Sequence, residues 1–304
     1  MKDPRSRAVI DIGSNSIKLL VGAPGHPFAT LLNTIRETRI SAAMHGNPPQ
    51  LQIPAMEAAL DSIRDLIEQA QAFTREPPVL VATSAVRDAG NGHAFAEKVL
   101  RQTGYPLRIL TGEEEARYVC RGALCDPTLF GISDFRLVDL GGGSLEVIHF
   151  SNRQVALAES LPLGAVRLTH RFLPDPEPPV RREIFDAIHH HVTQCLDRAD
   201  IQLTTPSLNL IGSGGAFVIA RNLISPRCPK IELEGLYHHR NLLSNMTLEE
   251  RRRIPGLPPQ RADIMVPALQ VMISLAEAAR QQAFLNTKFN LRYGILAELL
   301  EEVE

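Results

Sequence analysis

The sequence predicts an α/β fold, and three observations predict it. Strand-like apolar runs alternate with helix-periodic segments through both halves of the chain. Three of those runs lead into glycine turns. One unit, reading apolar, Asp, apolar, Gly, two residues, Ser and apolar again, occurs twice, in "VIDIGSNSIKLLV" around Asp11 and in "LVDLGGGSLEVIHF" around Asp139. With 304 residues the chain is long enough for two domains.

The elements follow in order. Val9–Ile12 and Ile17–Val21 read as strands flanking the turn "GSNS". A helix is expected over about residues 54–73, because Met56, Ala59, Leu60, Ile63, Leu66, Ile67 and Ala70 fall on one face. "PVLVATSAVRDAGN" reads as a strand, a polar turn and a short helix. "LRILTGEEEARYVCRGAL" reads as strand, cap and helix, with Thr111 as N-cap and Glu114 completing a capping box. "FRLVDLGGGSLEVIHF" is a second strand-turn-strand, and "LIGSGGAFVIARNL" is strand, glycine turn and helix. Residues 173–179 and the stretch "IPGLPPQRAD" are proline-rich and read as loops.

Composition narrows the function classes. Hydrophobic residues at 44% and charged residues at 22% fit a globular chain and argue against disorder. A net charge of −2 supplies no global field for nucleic acid, so no nucleic-acid partner is expected. No apolar run reaches membrane-spanning length, and "MKDPRSRAVID" has no signal-peptide core, so the expectation is a cytoplasmic protein without a membrane partner. Cys120, Cys125, Cys195 and Cys228 have no paired metal spacing. His189–His191 and His238–His239 read as solvated, because adjacent residues point in different directions.

The glycine turns carry the chemistry. Gly13, Ser14, Asn15 and Ser16 form the first, Gly141, Gly142, Gly143 and Ser144 the second, and Gly212, Ser213, Gly214 and Gly215 the third. Glycine lets a ligand approach the backbone, and successive N–H groups in such turns make an anion nest. That suits phosphate. An aspartate just ahead of a phosphate loop needs a cation between them, and Mg²⁺ (or Mn²⁺) meets that need, so Asp11 and Asp139 are the candidate metal anchors. The bland alternative is a pair of tight hairpins that use Asp and Gly for turn geometry. Neither a Walker lysine motif nor a dinucleotide fingerprint is present.

These paired hairpins resemble the phosphate loops of the actin, hexokinase and acetate kinase group. More closely, the chain resembles the exopolyphosphatase / guanosine pentaphosphate phosphohydrolase family. The resemblance is carried by the two hairpins with "VATSAVRDAGN", "ILTGEEEARYVCRGAL", "SLPLGAVRLTHRF", "LIGSGGAFVIARNL" and "IPGLPPQRADIM", in the family's order. It implies two actin-like (ribonuclease-H-like) domains with an interdomain cleft. The expected domains span 1–124, joined by a C-terminal helix at about 287–304, and 125–286. It implies Mg²⁺-dependent release of orthophosphate from inorganic polyphosphate or guanosine pentaphosphate, and a place in the stringent response. It selects Glu115, directly before Ala-Arg, as the carboxylate that orients the attacking water, helped by Glu146. Glu113 and Glu114 are left to the helix terminus. Arg87 is a phosphate ligand by its planar fork; Arg167 and Arg292 are weaker candidates. A homodimer is a further expectation.

Three departures from the family pattern stand out. The segment "TRISAAMHGN" replaces an Arg-Leu-Gly-Glu-Gly type stretch, and Leu145 and Ala216 stand where threonine is usual. The short length also implies weaker grip on long polyphosphate. Two other readings share the turns: an actin-like kinase or ATPase, and a catalytically weak sensor of guanosine tetra- or pentaphosphate.

Overall fold

The computed structural model describes residues 3–25, 27–204 and 209–302. The chain divides into two compact units, Met1–Phe130 with Phe289–Glu304, and Gly131–Lys288. The sequence alone suggested divisions at 124/125 and 286/287, a few residues earlier.

The first unit runs β1 (Arg7–Ile12), β2 (Ile17–Pro24), β3 (Phe28–Arg36), a small hairpin of β4 (His45–Gly46) and β5 (Pro49–Gln50), α1 (Ile53–Gln71), β6 (Val79–Ala82), α2 (Ser84–Arg87), α3 (Gly92–Thr103), β7 (Leu107–Ile109) and α4 (Gly112–Leu124). Its sheet has the order β3-β2-β1-β6-β7. The first three strands are antiparallel; β6 and β7 add in parallel after helical crossovers.

The second unit runs β8 (Phe135–Leu140), β9 (Leu145–Ser151), β10 (Gln154–Leu161), α5 (Ala165–Phe172), α6 (Arg182–Arg198), β11 (Asn209–Ser213), α7 (Gly215–Ile224), β12 (Lys230–Glu232), α8 (Leu233–Ser244), α9 (Leu248–Arg251), α10 (Met265–Ala278) and β13 (Ala283–Asn286). Its sheet order is β10-β9-β8-β11-β13-β12. Setting β12 aside, this is the same order as in the first unit: an antiparallel meander, then two parallel strands on its inner side. Both units therefore have the ribonuclease-H-like arrangement of actin-like domains. The last helix, α11 (Leu291–Glu301), belongs to the first unit and packs on α4 and β1.

The predicted elements form for the reasons the sequence offers. Helix α1 starts with a proline in its first turn and buries Ala59, Leu60, Ile63, Leu66, Ile67 and Ala70 against Ile10, Ile12, Leu19 and Val21. Met56 only flanks that core. Helix α10 buries an unbroken run from Met265 to Ala276, so it is the central helix of the second unit's helical layer. Helices α4 and α11 meet through glycine: a Cβ on Gly294 would lie 1.9 Å from the Tyr118 carbonyl oxygen. Only the missing side chain permits that approach. Among the described residues, no helix is long and apolar enough to cross a membrane.

Candidate active site

The two Asp-turn-Ser units fold alike. In the first, the Gly13 N–H donates to the Ser16 carbonyl at 3.1 Å; in the second, Gly141 donates to Ser144 at 3.0 Å. A Cβ on either glycine would lie 3.2 Å from the matching serine carbonyl. The turn is thus the same object twice, at the end of β1 and at the end of β8.

Each turn is gripped from behind by a later segment. In the first unit, Arg39 donates its backbone N–H to the Asn15 carbonyl at 2.9 Å, and the Ser41 hydroxyl donates to the Ser14 carbonyl at 2.9 Å. The Asn15 side chain donates to Glu37 at 2.7 Å and accepts from Arg39 Nε at 3.1 Å. The segment that departs from the family pattern therefore holds the first turn. Asn15, expected on phosphate, has its amide engaged in that clamp.

In the second unit the grip comes from the start of α5. Ala165 and Val166 donate backbone N–H groups to the Gly141 and Gly142 carbonyls at 3.0 and 2.8 Å, and Arg167 Nε donates to the Gly143 carbonyl at 2.7 Å. Gly164 makes this fit possible, since a Cβ there would lie 2.3 Å from the Gly143 carbonyl carbon. With its carbonyls tied back, the turn is held in one conformation. Arg167 is thus a turn clamp, a role the sequence did not reveal. The expected third turn is reduced to Gly214 at φ +99°, since Gly212 and Ser213 end β11 and Gly215 starts α7; a Cβ on Gly214 would lie 2.7 Å from Asp139 Oδ1. Behind it, the buried Arg261 guanidinium from "PPQRAD" lies so close to Gly215 that a Cβ would come within 2.2 Å of its Nη1.

The two aspartates differ in their partners. Asp11 faces Lys18 across the β1–β2 ladder, with Nζ 3.5 Å from Oδ2. Its Oδ1 is enclosed and accepts no hydrogen bond. Arg292 is buried nearby; it donates to the Leu19 carbonyl at 3.1 Å and to Asn33 Oδ1 at 3.0 Å. Burial pushes its pKa down, and the Asp11 charge opposes that shift. Arg292 is therefore a buried structural cation. Asp139 faces a second carboxylate, Glu146, across the β8–β9 ladder, where the first unit has Lys18. Directly opposite residues share a face of the sheet. Glu146 is 1% exposed and accepts from the Ser160 hydroxyl at 2.8 Å, so it is no ordinary surface strand glutamate.

Glu115 and Arg87 form the other polar centre, in the first unit. The Thr111–Glu114 capping box is present and starts α4. It turns Glu114 toward Arg108 and Glu115 inward, in phase with Tyr118, Val119 and Gly122. Helical phase therefore selects Glu115, as the resemblance also does; the apolar stripe of α4 is the signal. Arg87 lies at the end of the one-turn helix α2, not in an open polar turn. Its Nη1 donates to Glu115 Oε2 at 2.7 Å and to the Leu110 carbonyl at 3.1 Å. Asp88 is a more distant partner at 3.6 Å. The same helix carries Ser84, whose hydroxyl lies 3.2 Å from that of Ser14, which links this pair to the first turn.

Leu145 and Ala216, where the family pattern leads one to expect threonine, are both buried in the second unit's apolar core. Of the histidine runs, His189, His190 and His238 are exposed while His191 and His239 are half-buried. Among the described residues, no cluster of three or more His, Cys, Asp or Glu could hold a metal ion. A hexahydrated-type ion such as Mg²⁺ needs only one or two carboxylates and keeps its waters, and the Asp139–Glu146 pair fits that demand. Asp11 already has an ammonium beside it.

Comparison with known proteins assigns the family. The Ppx/GppA phosphatase family model matches residues 19–303. Exopolyphosphatase 1 of Mycobacterium tuberculosis is 29% identical over 96% of this chain and 88% of its own. Exopolyphosphatase 2 of the same organism is 30% identical over 91% of each chain. Among solved structures, an exopolyphosphatase from Cytophaga hutchinsonii superposes with a TM-score of 0.84 at 23% identity, covering 98% of this chain and 99% of that one. An Aquifex aeolicus member of the Ppx/GppA family gives 0.77 at 24% identity, covering 98% and 99%. The matched turns, the acids behind them and these relatives lead to one conclusion: the chain belongs to the Ppx/GppA phosphatase family.

Proposed function

We propose that this protein hydrolyses the terminal phosphoanhydride bond of inorganic polyphosphate or guanosine pentaphosphate and releases orthophosphate. One observation carries the reading: a buried carboxylate, Glu115, is held by Arg87 on the helix that touches the first glycine turn. A phosphate-binding turn alone fits any actin-like ATPase. A buried carboxylate held in place beside it is what a hydrolase needs to orient water. The names of the curated relatives point to polyphosphate.

The roles divide by residue. Ser14 and Ser16, with Gly142, Gly143 and Ser144, offer N–H and hydroxyl donors to phosphate oxygens, while the Gly13 and Gly141 N–H groups close the turns. Arg87 carries the guanidinium that phosphate would attract away from Glu115. Released in this way, Glu115 accepts a hydrogen bond from the attacking water and draws its proton. Asp139 and Glu146 would hold Mg²⁺ or Mn²⁺, which supplies charge neutralisation to the phosphates. Lys18 takes that electrostatic role beside Asp11. Positioning and electrostatics supply most of the rate in such transfers.

The test is phosphate release from tripolyphosphate, long-chain polyphosphate and guanosine pentaphosphate, with and without Mg²⁺. Release from at least one, dependent on the cation, is expected. No release from any of the three, with guanosine tetraphosphate bound tightly, would replace the hydrolase reading with that of a sensor.

A further inference from the structure

The second unit has a cavity of about 670 Å³ among α6, α8 and α10, and none of the turn residues lines it. We propose that it is a binding site for a small phosphomonoester of mononucleotide size. Its volume is within the range of small-molecule sites, about 300–1,000 Å³.

Arg240 is the anchor. Its guanidinium lies 4.6 Å from the Phe185 ring centre and 5.2 Å from that of Tyr237. Its Nη1 donates to Gln270 Oε1 at 2.7 Å, and its Nε and Nη2 donate to Asn241 Oδ1 at 3.1 and 2.8 Å. Every hydrogen-bond acceptor is a neutral amide, and a guanidinium has N–H donors to spare beyond these. Burial lowers the Arg240 pKa, with Tyr237, Glu277 and Asp186 opposing that shift. Arg182, at the start of α6, lines the same cavity. An anion at this end would receive charge-assisted hydrogen bonds from a preformed fork.

The far end has different chemistry. Gln270 and Glu277 lie two helical turns apart on α10, about 10 Å along its axis. Glu277 accepts from the Tyr237 hydroxyl and lies 3.3 Å from His189 Nδ1, which is also 3.1 Å from the Ser274 hydroxyl. These groups suit the hydroxyl and N–H groups of a sugar and base. Asp186 and Glu277 stand in the same lining as the two arginines, so the cavity lacks the net positive charge that a polyphosphate chain would need. The site therefore differs in ligand from the glycine turns and does not rest on the hydrolase reading.

The test is calorimetric titration of the whole protein with AMP, GMP and inorganic phosphate, with tripolyphosphate present in saturating amount to occupy the turns. At least one nucleotide should bind the wild type and E115Q equally. Affinity should fall at least tenfold in R240Q and in N241D, which sets a carboxylate beside the anchor on an exposed position of α8; unchanged melting temperatures would show both variants folded. The proposal is overturned if neither nucleotide binds, if both variants bind as the wild type does, or if phosphate alone binds as tightly as the nucleotides.

Discussion

Arg87 and Glu115 are joined by a hydrogen bond of 2.7 Å between Nη1 and Oε2, and both side chains lie mostly out of solvent. One carries the charge that suits phosphate; the other carries the charge that suits water. Their pairing means that each holds the other in place. R87Q should therefore lower turnover as well as substrate affinity, by roughly tenfold or more. The double variant R87Q/E115Q should lose little beyond E115Q alone, because coupled residues are not additive. Steady-state kinetics of the four proteins checks this; strictly multiplicative losses would separate the two roles.

Gly164 should tolerate no side chain. In G164A the new methyl would meet the Gly142 and Gly143 backbone at 2.3–2.4 Å, so the second turn or α5 must move. A stability loss of about 1–3 kcal/mol is expected from such overpacking. Activity at a temperature where the protein stays folded should fall too, because the displaced turn is the proposed phosphate cradle. Urea melts and phosphate release on the same sample separate the two effects.

The α4 cap should be measurable by itself. T111A should cost about 1 kcal/mol, as N-cap removals do. The Thr111 backbone N–H, followed by Arg108, lowers the Glu114 pKa. A depressed carboxylate contributes stability above its unfolded pKa and loses it as pH falls through the folded one. The gap between wild type and E114Q should thus be widest near neutrality and close below pH 4.5, the ordinary value. A gap that persists unchanged in acid would contradict the assignment.

His149 should add acid sensitivity of the opposite chemical kind. Burial, with the Arg136 charge beside it, lowers its pKa to about 4 from 6.5. The unfolded chain then binds more protons between those values, so stability falls as pH drops through that window. H149Q should flatten the decline in melting temperature between pH 6.5 and 4. An identical decline in both proteins would exclude this source.

Local geometry was legible in the sequence. The two matched turns after Asp11 and Asp139 could be found because the Asp-turn-Ser unit repeats. The α4 cap could be found because its box spans four residues. What joins distant segments was not legible. Nothing in "SLPLGAVR" announces that Gly164 and Arg167 clamp the second turn. Nothing in the departing segment announces that Arg39 and Ser41 clamp the first. The contrast between Lys18 and Glu146 could have been found, since the two positions match within the repeated unit. It becomes meaningful only when the ladders set each opposite its aspartate. Arg87 was placed in a turn because "TSAVRD" is polar, yet the Thr83 carbonyl accepts from both Val86 and Arg87 and winds the segment into a helix.

The most direct test of the hydrolase account is phosphate release from long-chain polyphosphate by wild type and E115Q, with the shortened chains followed on the same samples. Wild type should release orthophosphate while chains shorten from their ends, and E115Q should be slower by about 10²–10⁴-fold, the usual share of a positioned acid or base. An E115Q protein that hydrolyses at the wild-type rate would contradict the account.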